Sequence, residues 1–278
     1  KWDIVFNSYL KKKFNSNHIN RTGITVTGLQ YDLDYKISPN FGLDIPMEQI
    51  SKGNGGSCVL SAYSSSVINL SNHFTTSLGI TAQYFTLNNN CTVEPRAALK
   101  WSFNPKHALA LAYGLHSRRE KLDYYFVEQE ANGKTESNRY LDFSKAHHFG
   151  LTYDWNINSY MHLKVEPYYQ YLFRIPVEEN SSFSIINHQS FYLDRILKNR
   201  CSGVNYGIDI TLEQYMKYGF YYMITASLFK SKYKAGDNIW RNTRLDKNYL
   251  LNILAGKEWM VGRNKQNVLS LNGRIFFQ

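Results

Sequence analysis

Apolar and polar residues alternate one by one over most of the chain. Between His147 and Phe173, one side of two consecutive extended segments carries Phe149, Leu151, Tyr153 and Trp155, then Met161, Leu163, Val165, Tyr169, Tyr171 and Phe173. The other side carries His148, Gly150, Thr152, Asp154, His162, Lys164, Glu166, Tyr168 and Gln170. The same period runs through CTVEPRAALKW, where Val93, Pro95, Ala97, Leu99 and Trp101 oppose Thr92, Glu94, Arg96, Ala98 and Lys100, and through HALALAYGL and VNYGIDITLE. Successive side chains of a strand point to opposite faces, so this is the pattern of strands with one greasy and one wet face. About twelve such strands are predicted, many near the ~9 to 11 residues that cross a bilayer at a tilt, and some longer.

The connections sort by length. Short polar turns stand at FNSNHIN, LSNHF, FNPKH, NINSY, EQYMKYG and GRNKQN. Between them lie long charged stretches: Pro39 to Gly56, Ser117 to Phe143, Arg174 to Gly203 and Lys234 to Lys247. Only LNNNC, near Asn89, breaks the alternation of short with long. Turns on one side and long loops on the other predict an all-β, transmembrane, antiparallel up-and-down β-barrel, with 1–278 read as a single barrel segment. Aromatics near strand ends, such as Trp155 and Tyr160 or Phe220, Tyr221 and Tyr222, suit its interfacial girdle. A β-sandwich also alternates, but its strands usually run ~5 to 6 residues and nothing sorts its turns by length.

Composition agrees. With 43% hydrophobic and 15% aromatic residues the chain has ample surface to bury, which argues against disorder. Its mean hydropathy of -0.43 reflects interleaving, and no run approaches the ~20 apolar residues of a membrane-spanning helix. The net charge of +10 is spread singly apart from Lys11, Lys12 and Lys13 and the pair Arg118 and Arg119; no nucleic-acid-binding signature accompanies it. Cys58, Cys91 and Cys201 are too few and too far apart for a zinc site or a disulfide framework. KWDIVFNSYLKKKF reads as strand and lacks the features of a secretory signal, so no signal peptide is expected in this chain.

Candidate chemistry is sparse. His147 and His148, near Asp123 and Asp142, invite a metal or an Asp/His pair, yet adjacent residues of a strand face opposite ways; one rim and one lumen histidine are expected. His162, Lys164 and Glu166 share one face, which suits a polar lumen ladder or a proton-responsive site. A smaller complete barrel with hydrolase activity, a phospholipase or protease, is the alternative function, but Ser159 and Ser270 have no identifiable base and no catalytic residue is assigned. GNGG near Gly53 reads as loop and not as a phosphate site, and neither metal nor other cofactor is expected. Arg118, Arg119, Tyr124 and Tyr125 in one long loop, with Trp240 in another, suit stacking on sugars or cyclic peptides or pairing with anionic groups.

The segments EPRAALKWSFNPKHALALAYGLHSR, DFSKAHHFGLTYDW, HLKVEPYYQYL, NYGIDITLEQY, WRNTRLDKNYLLNILAGKEW and KQNVLSLNGRIFFQ together resemble the barrel domain of TonB-dependent outer-membrane receptors of the Bacteroidetes type. In these a carboxypeptidase-regulatory-like domain precedes the plug. The resemblance implies a ~22-stranded barrel around an internal plug. It also implies energised uptake of a large or scarce ligand such as a siderophore, vitamin, glycan or peptide across the outer membrane of a Gram-negative cell. The periplasmic partner would be TonB, acting through a plug domain that this chain does not show; the surroundings would be outer-membrane lipid and lipopolysaccharide. The chain looks like a middle-to-late portion of such a receptor, truncated at both ends. The WRNTR-like segment recurs in these barrels, which implies a structural role for Arg241 and Arg244, pairing with lumen carboxylates.

Overall fold

The computed structural model describes residues 2–38, 47–131 and 133–278. In chain order the strands are β1 (Trp2–Asn15), β2 (His18–Ile37), β3 (Glu48–Asn69), β4 (Phe74–Phe85), β5 (Asn90–Asn104), β6 (His107–Arg118), β7 (Glu128–Ala131), β8 (Lys134–Ser137), β9 (Ser144–Asn158), β10 (Met161–Val177), β11 (Lys198–Lys217), β12 (Phe220–Lys234), β13 (Trp240–Asn242), β14 (Tyr249–Val261) and β15 (Asn267–Phe277). Twelve of them form one continuous antiparallel path, β1-β2-β3-β4-β5-β6-β9-β10-β11-β12-β14-β15, in which every strand pairs with its nearest long neighbour in sequence. The short β13 attaches to β12, and β7 and β8 make a separate hairpin. Among the described residues β1 is paired only with β2 and β15 only with β14.

The cross-strand register puts the alternation onto faces. Directly opposed residues in an antiparallel pair share a face. Leu163 stands opposite Trp155 and Leu212, Val165 opposite Tyr153 and Ile210, and Tyr169 opposite Phe149 and Tyr206, so one face is an apolar band continuous across β9, β10 and β11. Leu111, opposite Leu99 and Leu151, carries the band to β5 and β6, and Ile224, opposite Leu212 and Ile253, carries it to β12 and β14. The band is exposed: Leu111 is 59% and Phe149 46% accessible. The opposite face holds Asp154 against Lys164 and Glu166 against Asp209. One face is thus apolar and exposed and the other polar, the two-faced pattern of an up-and-down barrel wall.

Six of the short turns fall at one end of the sheet, as the sequence predicts, and only the β4–β5 connection of LNNNC lies at the other. The turn between β11 and β12 shows why its residues are chosen: Tyr218 and Gly219 both have positive φ, 52° and 72°, and a Cβ on Gly219 would lie 2.3 Å from the Glu258 carbonyl oxygen. Only glycine fits there. At the other end one expectation is corrected. The stretch Pro39 to Gly56 is not a loop throughout: 39–46 lie outside the described residues, but β3 begins at Glu48, so GNGG lies within a strand whose Gly53 is opposite Leu33. Its polar and glycine-rich composition masks the strand signal, because the residues that cover it come from another loop.

Candidate functional site

Two of the long loops fold together into a cap at the long-loop end. The connection after β6 contributes Leu122, Tyr124, Tyr125, Phe126, Val127, Leu141 and Phe143, the connection after β10 contributes Leu193 and Leu197, and both pack on Leu29, Tyr31 and Phe85 of the wall. The single-turn helix Leu122–Phe126 arranges the aromatics: Phe126 meets Tyr31 at 4.9 Å and Tyr125 meets Phe85 edge-on at 5.4 Å. Asn138, 1% exposed, ties the loops to one another by donating to the Arg195 carbonyl (2.8 Å) and accepting from the Leu197 amide (2.7 Å). The one short connection at this end has its own task. Asn88 donates to the Leu141 carbonyl and Asn90 to Asp142 Oδ1, both at 2.8 Å, so the asparagines of LNNNC hold the rim of the cap.

Gly53 explains how the cap seats. A Cβ built there would lie 2.3 Å from Phe126 Cδ1, so the absent side chain leaves the space that the Phe126 ring occupies. Gly53→Val is therefore expected to expel Phe126 and loosen 119–143 by ~1 to 3 kcal/mol, in the range of overpacked sites, while the sheet survives. Faster amide exchange confined to that loop checks it, and unchanged exchange would refute the seating role.

Below the cap the lumen-facing wall holds a cavity of about 660 Å³, lined among others by Tyr63, Gln83, Glu94, Arg96, His116, His148, Tyr168 and Gln170. Glu94, 1% exposed, is its organising group. It accepts hydrogen bonds from Gln83 Nε2 (2.6 Å), Arg96 Nη2 (2.9 Å), the Ser117 amide (3.2 Å) and the Ser117 hydroxyl. Small residues around it, Gly79 and Gly114 opposite Arg96 and Gly150 opposite Tyr168, leave the cavity open. His116 and His148 meet at 4.5 Å between ring centroids. Sequence reading placed Glu94 on the wet face without singling it out; a lone carboxylate among Ala98, Gly79 and Gly114 was the available signal.

The residues singled out by the sequence are distributed over three places. His162, Lys164 and Glu166 form a ladder on the lumen face: His162 lies 3.2 Å from Asp154 and 3.4 Å from Glu213, and Lys164 lies 2.7 Å from Glu166. His148 faces the same lumen, while His147 faces out and meets the Tyr113 hydroxyl at 3.0 Å. Tyr124 and Tyr125 are buried within the cap, 3% and 1% exposed, with Arg118 and Arg119 at its edge; Arg118 reaches Glu120 at 3.8 Å and Arg119 donates to the Glu120 carbonyl. Trp240 stands elsewhere, on β13 opposite Lys234. Arg241 pairs with Asp237 of its own loop (2.8 and 2.5 Å) rather than with a lumen carboxylate, because the β12–β13 turn brings the two together; Arg244 is exposed and its amide donates to Asn187 Oδ1.

Burial pushes the Tyr125 phenol up to about 12. A folded-state pKa raised above 10 means that the stabilising contribution is present below pH 10 and is lost as pH rises through about 12, to the extent of ~2 to 3 kcal/mol. The expected result is that one tyrosine ionises after the rest in the absorbance titration and that Tyr125→Phe removes this last step. A last step that survives in the variant would show that Tyr125 is not the late-titrating group.

A scan of known protein families matches none of them to this chain, and no curated protein matches it. Solved structures do. The FrpB iron transporter from Neisseria meningitidis (F5-1 variant) aligns at 12% identity over 98% of this chain and 43% of its own, with a TM-score of 0.66. The ferric-catecholate import receptor Fiu from E. coli K12 aligns at 9% identity over 94% and 42%, with 0.67. The ferric yersiniabactin uptake receptor FyuA from Yersinia pestis aligns at 10% identity over 98% and 45%, with 0.65. The chain spans less than half the length of these structures. What it shares with them is the fold, the antiparallel up-and-down sheet that walls the barrels of TonB-dependent receptors.

Proposed function

We propose that this chain is wall and loops of a TonB-dependent outer-membrane receptor of the Bacteroidetes type, which takes up a scarce ligand under energy supplied from the periplasm. The observation that carries the reading is the coincidence of three sortings on one sheet: apolar side chains on one face, charged ladders on the other, and all long loops at one end. In this reading the long loops face the outside and the cap covers the mouth. The His162, Lys164, Glu166 ladder and the Glu94 cavity face a plug carried elsewhere in the protein, through which TonB acts. The ligand first meets the cap, where a cleft of about 430 Å³ is lined by Tyr35, Tyr124, Phe191 and Tyr192 together with Asp32, Asp34 and Asp123. Arg118, Arg119, Tyr125 and Trp240 belong to the loops that would shape its approach. The outward face lies in outer-membrane lipid and lipopolysaccharide.

The test is the native mass in purified outer membranes, located through peptides of VEPYYQYLFR. A species several times heavier than 32.4 kDa that also yields plug peptides is expected. A mature outer-membrane species of 32.4 kDa would sink the reading, since the wall alone has nothing for TonB to pull.

A further inference from the structure

The register of β12 puts an unusual charge on the outward face. Ile224, Ala226 and Leu228 belong to the apolar band, opposite Leu212, Ile210 and Ile208. Toward the long loops the same face continues as Lys230, Lys232 and Lys234, opposite Tyr206, Val204 and Ser202. Two residues of strand advance about 7 Å, so the ammonium-bearing stretch begins directly where the apolar stretch ends. Trp240, opposite Lys234 on β13, extends this face sideways with an indole.

The lysines differ in what they already hold. Lys230 is engaged by Asp246 at 3.9 Å and by Asn248. Arg200, two residues above Ser202 on β11, shares Glu179 with Lys198. Asp237, the acid closest along the chain to Lys234, is taken by Arg241. Among the described residues Lys232 and Lys234 have no ion pair, so two ammonium groups on adjacent outward positions of one strand are uncompensated.

We infer that Lys232 and Lys234, flanked by Lys230 and Trp240, form a docking stripe for the phosphates of lipopolysaccharide in the surrounding leaflet. This rests on the receptor reading above, which turns the long-loop end toward the outer leaflet. The occupant follows from position. A ligand here must be apolar where Ile224, Ala226 and Leu228 lie and anionic one step further out, and an acylated, phosphorylated sugar has that order of chemistry. An indole at the same height suits the interface between acyl chains and headgroups. Basic groups beside an anionic lipid surface each contribute about 1 kcal/mol, so removing two predicts roughly thirtyfold weaker binding.

The experiment titrates the full-length protein, purified from outer membranes in detergent, with rough lipopolysaccharide, and counts bound lipid by native mass spectrometry. Lys232→Gln/Lys234→Gln is expected to bind roughly thirtyfold more weakly than the wild type. Dephosphorylated lipopolysaccharide should bind both equally weakly, and inorganic phosphate should displace nothing. Lys12→Gln/Lys13→Gln at the short-turn end removes the same charge and should bind like the wild type. Retained affinity in the first variant, or equal loss in the second, overturns the stripe; displacement by inorganic phosphate reassigns it to free anions and overturns the lipid as occupant. Heat-modifiable gel mobility verifies that each variant is folded. If the protein fractionates away from the outer membrane the receptor reading falls, whereas a flat titration of an outer-membrane protein removes only the stripe.

Discussion

Glu94→Ala is expected to destabilise the full-length protein by ~2 to 4 kcal/mol, the range for removing one partner from a buried, hydrogen-bonded charged network. The carboxylate is nearly inaccessible and accepts from Gln83, Arg96 and both donors of Ser117. Its loss leaves the Gln83 amide without its carboxylate acceptor and the Ser117 hydroxyl with only Thr92 Oγ1, at 3.2 Å. The Arg96 side chain is 48% exposed and can turn to water, so its ion pair contributes the smaller part. Glu94→Gln separates the contributions: one amide oxygen can still accept from Gln83 and Ser117, and a loss of only ~1 kcal/mol is expected from the weaker uncharged bonds. Guanidinium unfolding in detergent micelles reads both variants. Equal losses for Ala and Gln would mean that charge, and not the acceptor geometry, holds β4, β5 and β6 together.

Tyr125→Ala is expected to undock the cap, at a cost of ~3 to 5 kcal/mol to the loop, as for large-to-small changes at fully buried aromatics. The ring is 1% exposed and meets Phe85 edge-on, and its hydroxyl accepts from the Glu120 amide at 3.2 Å. Tyr125→Phe removes only that hydrogen bond and should cost about 1 kcal/mol. Loop-specific amide exchange and protease cleavage between Arg118 and Phe143 provide the measurement. A cap that stays protected in the alanine variant would place its stability in the Asn138 ties between the loops instead.

Much of the fold was legible because alternation is a direct readout of faces. The outward set of β9 and β10 and the inward set from His148 to Gln170 follow from a period of two that the register preserves. The turn positions were legible because each short connection is polar and flanked by alternation. What lay hidden depends on partners distant in sequence. β3 could not be traced below Gly56 because its lumen face is covered by Phe126, some seventy residues later in the chain. Tyr124 and Tyr125 read as free aromatics, since nothing local announces that a loop forms its own apolar cluster against Leu29, Tyr31 and Phe85. Arg241 looked available for the lumen until the β12–β13 turn set Asp237 beside it. The face of Trp240 needed the pairing with Lys234 before it could be assigned.

Because each long strand lies beside its predecessor in sequence, the sheet can be stitched one hairpin at a time. The widest gaps to be closed are the connections after β6 and after β10, and loop-closure entropy grows only slowly with length. Pairing of residues far apart along the chain is what slows most β proteins, and this topology largely avoids it. The two longest connections along this route are also those that make the cap, so the mouth would take its final form only once β9 and β11 are in register. Their sequences can lengthen or diverge without altering a single cross-strand pair below them.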